Sequence, residues 1–262
     1  MGATLLNENE NENISMLQEI EAYWNKRAES YSENVRFEME HDNERAWMDV
    51  LEQYLKGIPG KKVLDIGTGP GFFAIGLAKR GYQVTAVDYT PNMLEEAKKN
   101  AGSLAEKITF LQMDAQNLEF DNAGFDAIVT RNLTWNLEHP AEAYREWHRV
   151  LKKGGVLLNF DAGWYSYLFD DEKAQSFEED RKRVKDAQIK DYEEYSESDK
   201  MEAISRNLIL SRCKRPQTDI ELMRRAGFRL IYTDEQIGDR VWDEEEKVNF
   251  ASRPMFMLRG VK

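Results

Sequence analysis

The segment Val63-Leu64-Asp65-Ile66-Gly67-Thr68-Gly69-Pro70-Gly71 constrains the fold more than any other stretch of this chain. It reads as a short buried strand running into a glycine-rich turn, with a helix from Phe72 to Lys79 behind it. Such a turn needs glycine for two reasons. The backbone takes angles that a side chain resists, and a ligand must lie directly against the main chain. The helix start then offers unpaired N–H groups and the positive end of its dipole. Together these predict a nucleoside-type cofactor.

The surrounding chain alternates strand and helix. Lys62–Ile66, Gln83–Asp88, Ile108–Met113, Phe125–Thr130 and Val156–Phe160 read as strands. Thr90-Pro91 opens a helix, with Thr90 as N-cap, and another spans Pro140–Val150. This spacing predicts an α/β fold, a doubly wound and mostly parallel sheet with helices on both faces. Two amphipathic helices precede it, over Ile14–Tyr31 and Glu44–Leu55, the second ending near Gly57 and Pro59. After Asp161 the pattern breaks. About 164–206 is charged, helical and studded with aromatics, either a solvated insertion or a lid over the crevice at the carboxyl edge of the sheet. Thr218 with Glu221 matches a capping box for a helix ending at Gly227. Phe228–Thr233 and Met255–Val261 then read as two late strands, an antiparallel pair at one edge. The expected organisation is a disordered tail over 1–13, an N-terminal helical lid region over 14–58, and an α/β domain over 59–262 carrying the insertion.

Composition narrows the function. The 262 residues are 41% hydrophobic and carry a formal net charge of −12. Nucleic-acid binders need basic surface to displace counterions, so DNA or large RNA is not expected as a partner; a small molecule is. No run approaches the roughly 18 apolar residues of a membrane helix. Met1–Glu12 lacks the basic and apolar regions of a signal peptide. The single Cys213 permits no internal disulfide and no cysteine metal site, which suits a cytoplasmic setting. No metal is expected.

The glycine turn departs from the dinucleotide fingerprint Gly-x-Gly-x-x-Gly, because Phe72 stands where the third glycine belongs. No Gly-Lys-Ser/Thr follows, so it is not a phosphate-binding P-loop. Five ordered segments resemble the class I S-adenosylmethionine-dependent methyltransferases, in the small-molecule group close to the ubiquinone/menaquinone enzymes. They are Asp65–Gly71, Asp88–Leu94, Gln112–Gln116, Phe125–Asn132 and Leu151–Gly155. The resemblance implies a seven-stranded Rossmann-like sheet and S-adenosylmethionine as cofactor, leaving S-adenosylhomocysteine as product. By it, Asp88 with Tyr89 and Met93 holds the ribose side, and Asp114 with Ala115 the adenine. Gly67, Thr68, Gly69, Pro70 and Gly71 lie along the methionine part, and Asp65 favours its ammonium. Arg131 and Asn132 bind the methionine end and face the acceptor, unless Arg131 is a structural ion-pair partner. Tyr23 and Tyr31 of the N-terminal helix close over the sulfonium, or simply pack. None of His41, His139 and His148 is assigned as a base, and the acceptor atom (O, N, S or C) and oligomeric state stay open. An NAD-dependent oxidoreductase and a noncatalytic S-adenosylmethionine-binding protein are the alternatives.

Overall fold

The computed structural model describes residues 15–195 and 197–262; the expected tail over 1–13 lies outside them. Two helices lead in, α1 (Met16–Glu40) and α2 (Asp42–Leu55). The alternating unit follows: β1 (Lys62–Ile66), α3 (Phe72–Lys79), β2 (Gln83–Asp88), α4 (Pro91–Ala101), β3 (Ile108–Gln112), β4 (Phe125–Arg131), α5 (Pro140–Val150) and β5 (Leu151–Asp161). The insertion holds α6 (Asp171–Ala187) and α7 (Ser198–Ser205). The chain closes with α8 (Gln217–Ala226), β6 (Arg229–Asp234), α9 (Gly238–Val241), α10 (Glu244–Asn249) and β7 (Phe256–Val261). The seven strands form one sheet in the order β3-β2-β1-β4-β5-β7-β6. Only β7 is reversed, antiparallel to both β5 and β6, so the expected doubly wound sheet is the one that forms.

Period-two alternation divides the core between the two faces. Val63, Val84, Ala127, Val129, Leu158 and Phe160 pack with Trp47, Phe72 and Phe73 from α2 and α3. Leu64, Ile66, Ile128 and Leu157 face Tyr144, Trp147 and Met223 from α5 and α8. Each fully buried Val, Leu, Ile, Phe or Met among them contributes about 1.5–3 kcal/mol. The strand order reverses between β1 and β4, and a doubly wound sheet binds ligands in the crevice there.

Several expected boundaries shift for identifiable reasons. Helix α1 does not stop at Tyr31: Ala28, Ser32 and Val35 stay buried at helical spacing and carry it to Glu40. Its N-terminus is a capping box between Ser15 and Gln18, and Ile14 lies outside the described residues. Strand β5 begins at Leu151, because Leu151 pairs with Phe125 ahead of a register shift and Gly154 and Gly155 bond to Lys262. Gly154 accommodates the bend at φ 77°. Thr90 occupies the N-cap of α4, but its side chain makes no capping bond. The capping box expected at Thr218 is absent. The N-cap of α8 is Pro216, and the Thr218 hydroxyl donates to the Lys214 carbonyl instead. Arg215 and Asp219 anchor this first turn: the buried guanidinium bonds Asp219 at 2.7 Å and Asp161 at 3.2 Å, and donates to the Ala162 carbonyl.

Candidate active site

The turn after β1 and the acid ending β2 form one hydrogen-bonded unit. The Gly67 and Thr68 N–H groups both donate to the Val87 carbonyl, at 2.9 and 3.0 Å. The Gly69 N–H donates to Asp88 Oδ2 at 2.8 Å, and the Thr90 N–H to Oδ1 at 2.9 Å. Gly67 must be glycine: φ is 66°, and a Cβ there would meet the Leu133 methyls at 2.9 Å. Burial beneath the turn pushes the Asp88 carboxyl above the usual carboxylate range, opposed by the bonds from Thr90 and Gly69.

A cavity of about 110 Å³ opens against this unit. Gly67, Gly69, Asp88, Tyr89 and Met93 form one wall, and Asp114 and Ala115 the floor after β3. Tyr31, Arg131 and Asn132 close the far side. Asp114 Oδ1 accepts from the Gln116 backbone and side-chain amides, at 2.8 and 3.1 Å. The fully buried Trp147 of α5 donates its Nε1–H to the Ala115 carbonyl at 2.9 Å, which fixes the floor to the core.

Asp65, Thr68 and Pro70 sit apart from that cavity, around a recess of about 30 Å³ that shares Tyr31, Gly67, Gly69 and Arg131 with it. The Thr68 hydroxyl donates to Asp65 Oδ2 at 2.7 Å. Burial pushes the Asp65 carboxyl up to about 7, against the pull of the Thr68 bond. Two expected residues line neither space. Gly71 is the N-cap of α3, at φ 94°. Tyr23 is turned toward a larger neighbouring cavity, and Trp24 takes its place, donating its Nε1–H to Asn136 Oδ1 at 2.6 Å. Arg131 pairs with Glu38 Oε2 at 2.7 Å and lies 4.3 Å over the Phe72 ring. The buried Phe72 thus fills the space that a dinucleotide fingerprint leaves to glycine.

The larger cavity measures about 280 Å³ and shares Trp24, Tyr31, Arg131 and Asn132 with the first. Its walls are aromatic: Tyr23 and Trp47 from α1 and α2, Trp164, Tyr165, Tyr192 and Tyr195 from the insertion, Trp242 and Phe250 around α10. Asn132 stands between the cavities in a left-handed conformation, φ 56°, with its buried Oδ1 unbonded. None of the three histidines lines either cavity. The His41 ring bonds the Phe37 carbonyl, and His148 packs edge-on against Phe228. Among the described residues no cluster of His, Cys, Asp and Glu is arranged to hold a metal.

Sequence reasoning missed Glu38 because it lies on the unrecognised extension of α1. It missed Glu246 with α10, although Asp243 and Glu246 carry the spacing of a capping box, and the structure contains one there. It also missed Trp47, which lines the larger cavity from the buried face of α2.

The methyltransferase-domain family model matches residues 64–159. A ubiquinone biosynthesis O-methyltransferase of Alkalilimnicola ehrlichii is 30% identical over 132 residues, 49% of this chain and 53% of the relative. A ubiquinone/menaquinone biosynthesis C-methyltransferase of a Ruegeria species is 35% identical over 119 residues, 44% and 47% of the two chains. The chain thus spans about half the length of the curated relatives it matches. Among solved structures, a possible histamine N-methyltransferase of Thermotoga maritima superposes with a TM-score of 0.56 at 20% identity, over 92% of this chain and 99% of that one. Haemonchus contortus phosphoethanolamine N-methyltransferase 2, in complex with S-adenosyl-L-methionine, gives 0.56 at 19% identity over 82% and 51%.

Proposed function

We propose, from the premise that residues 64–159 belong to the methyltransferase-domain family, that this chain moves a methyl group from S-adenosylmethionine to a small molecule seated in the aromatic cavity. One observation carries the reading: the glycine-turn cavity and the aromatic cavity meet at a common wall of Trp24, Tyr31, Arg131 and Asn132. The residues present suit the cofactor. Asp88 and Asp114 offer acceptors to ribose hydroxyls and an adenine amine, and the glycine turn admits a chain against bare backbone. Asp65 and Thr68 suit the methionine ammonium, with Pro70 and Gly71 shaping the turn beside them. When bound, S-adenosylmethionine supplies a carbon already activated by a cationic sulfur.

The protein's part is alignment and exclusion of water. Tyr31 and Trp24 wall the junction from α1, and their ring faces favour a cationic centre. Asn132 and Arg131 hold the methionine end and face the acceptor. The insertion closes the aromatic cavity as a lid. Its Tyr165 and Tyr195 hydroxyls bond at 3.1 Å, and the Glu197 carboxylate pairs with Lys26 of α1. The likeness to quinone methyltransferases covers about half of the chain, so the acceptor is argued from the cavity. No described helix is long and apolar enough to cross a membrane, and the free Cys213 accords with a cytoplasmic setting.

Two measurements test the reading. Calorimetry should find S-adenosylhomocysteine bound, and isotope-labelled S-adenosylmethionine should label a product in a broad metabolite extract. Binding without any labelled product would favour the noncatalytic alternative. Absence of S-adenosylhomocysteine binding would remove the proposal altogether.

A further inference from the structure

Glu246 is an acidic side chain with no cation of its own. It is half-buried at the start of α10 and lines the aromatic cavity. Its Oε2 accepts from the Asp243 N–H and from Asn43 Nδ2, both at 2.9 Å. Among the described residues, no Lys, Arg or His nitrogen lies within ion-pairing distance of it. The cations of the cavity are engaged elsewhere. Arg131 pairs with Glu38, Lys190 donates to Asn34, and Arg27 lies 4.3 Å over the Tyr195 ring. Another lining side chain, Trp47, only 1% exposed, has an Nε1–H without an acceptor, which a lone pair elsewhere on the ligand would satisfy. The walls around both are π-faces, which attract a desolvated cation.

We infer that the aromatic cavity takes an acceptor bearing a protonated amine, with Glu246 as its counter-ion and the surrounding rings as its cage. This rests on the methyl-transfer reading above and names the acceptor class. A buried carboxylate without a cation is costly, so the carboxyl keeps its proton until an incoming ammonium supplies the opposite charge. A neutral acceptor of the same size offers no such counter-charge.

The groups facing Glu246 explain its state when the cavity holds no amine. Burial, and then the nearby Glu38 of α1, push its carboxyl up to about 8; the Asp243 N–H and, more distantly, Arg131 of β4 oppose this. Asp243 adds to the upward push from its own helix, and Glu245 and the Tyr192 hydroxyl line the same cavity. Below about pH 8 the carboxyl therefore holds a proton that a bound ammonium must displace. Amine affinity should accordingly tighten by roughly tenfold per pH unit as pH rises from 6 toward 8, while a neutral ligand shows no such slope.

The test uses the full chain saturated with S-adenosylhomocysteine and two matched probe pairs, 2-phenylethylamine against 2-phenylethanol and tryptamine against tryptophol. Calorimetry should give each amine at least tenfold tighter binding than its alcohol at pH 8, with the stated pH slope. Glu246→Gln keeps an oxygen for the Asp243 N–H and should erase both the preference and the slope. Equal binding within each pair, preference for the alcohols, or no binding of any probe at millimolar concentration would each overturn the inference. Since S-adenosylhomocysteine binding is measured first, failure of the cofactor reading is seen separately. The wild-type comparison stands even if the variant fails to fold.

Discussion

Asp88→Ala tests whether the acid ending β2 binds the cofactor or only braces the turn. In the structure both carboxylate oxygens accept a backbone N–H, from Gly69 at 2.8 Å and Thr90 at 2.9 Å. Each oxygen has a second lone pair for a ligand hydroxyl. Losing charge-assisted bonds of this kind costs about 1.5–3 kcal/mol of binding, roughly 10- to 150-fold in Kd. The same change strips the Thr90 N–H, in a buried residue, of its acceptor. That adds a stability cost of about 1–3 kcal/mol, which at about 2–4 °C per kcal/mol lowers Tm by roughly 2–12 °C. Calorimetry with S-adenosylhomocysteine, run well below the melting transition of the variant, reads the first effect; a circular-dichroism melt reads the second. A lowered Tm with unchanged S-adenosylhomocysteine affinity would refute the ligand assignment and leave Asp88 a brace for the turn.

Three further outcomes are expected. Gly67→Ala places a Cβ 2.9 Å from Leu133 in a left-handed backbone, so thermal melts should give about 1–3 kcal/mol of destabilisation; an unchanged Tm would deny the close approach. Asp219→Ala leaves the Arg215 guanidinium, 2% exposed, without its closest carboxylate and should cost about 3–5 kcal/mol by urea denaturation, whereas a loss under 1 kcal/mol would mean that Asp161 and water suffice. Asp65, held up to about 7, binds its proton more tightly folded than unfolded, so its contribution to stability is full below about pH 4 and is lost as pH rises to about 7. The Tm of Asp65→Asn relative to wild type should therefore rise between pH 5 and 8, and a flat difference would contradict the burial argument.

How much of this was legible follows from how local each signal is. The strands of the parallel sheet announce themselves because both faces are covered and each is a short apolar run between turns. Gly67, Asp88 and Asp114 could be placed beside one crevice for the same reason, since each stands at or just past the carboxyl end of a strand. The start of β5 was not: Lys152-Lys153-Gly154-Gly155 has the composition of a turn, and only the pairing with Phe125 and Lys262 makes it strand. Thr218 and Glu221 have the spacing of a cap, yet Arg215 and its buried acids decide where α8 begins. The aromatic cavity was least legible, because it gathers α1, α2, the end of β4, the insertion and α10, a meeting that no local window contains. Tyr23 and Trp24 show the limit at its finest: adjacent on one helix, Tyr23 lines the second chamber alone and Trp24 lines both.

Helix α1 also bears on the order of events. One rigid rod of 25 residues supplies Leu17, Ile20 and Trp24 to the first chamber and Tyr23, Arg27 and Glu38 to the second. Such a rod cannot draw back from one chamber without unmaking the other. On the methyl-transfer reading, an acceptor chamber completed only once α1 has settled over the nucleoside predicts an ordered turnover: donor on first, spent donor off last. Initial-rate kinetics would register this as S-adenosylhomocysteine inhibiting competitively against S-adenosylmethionine but noncompetitively against the acceptor.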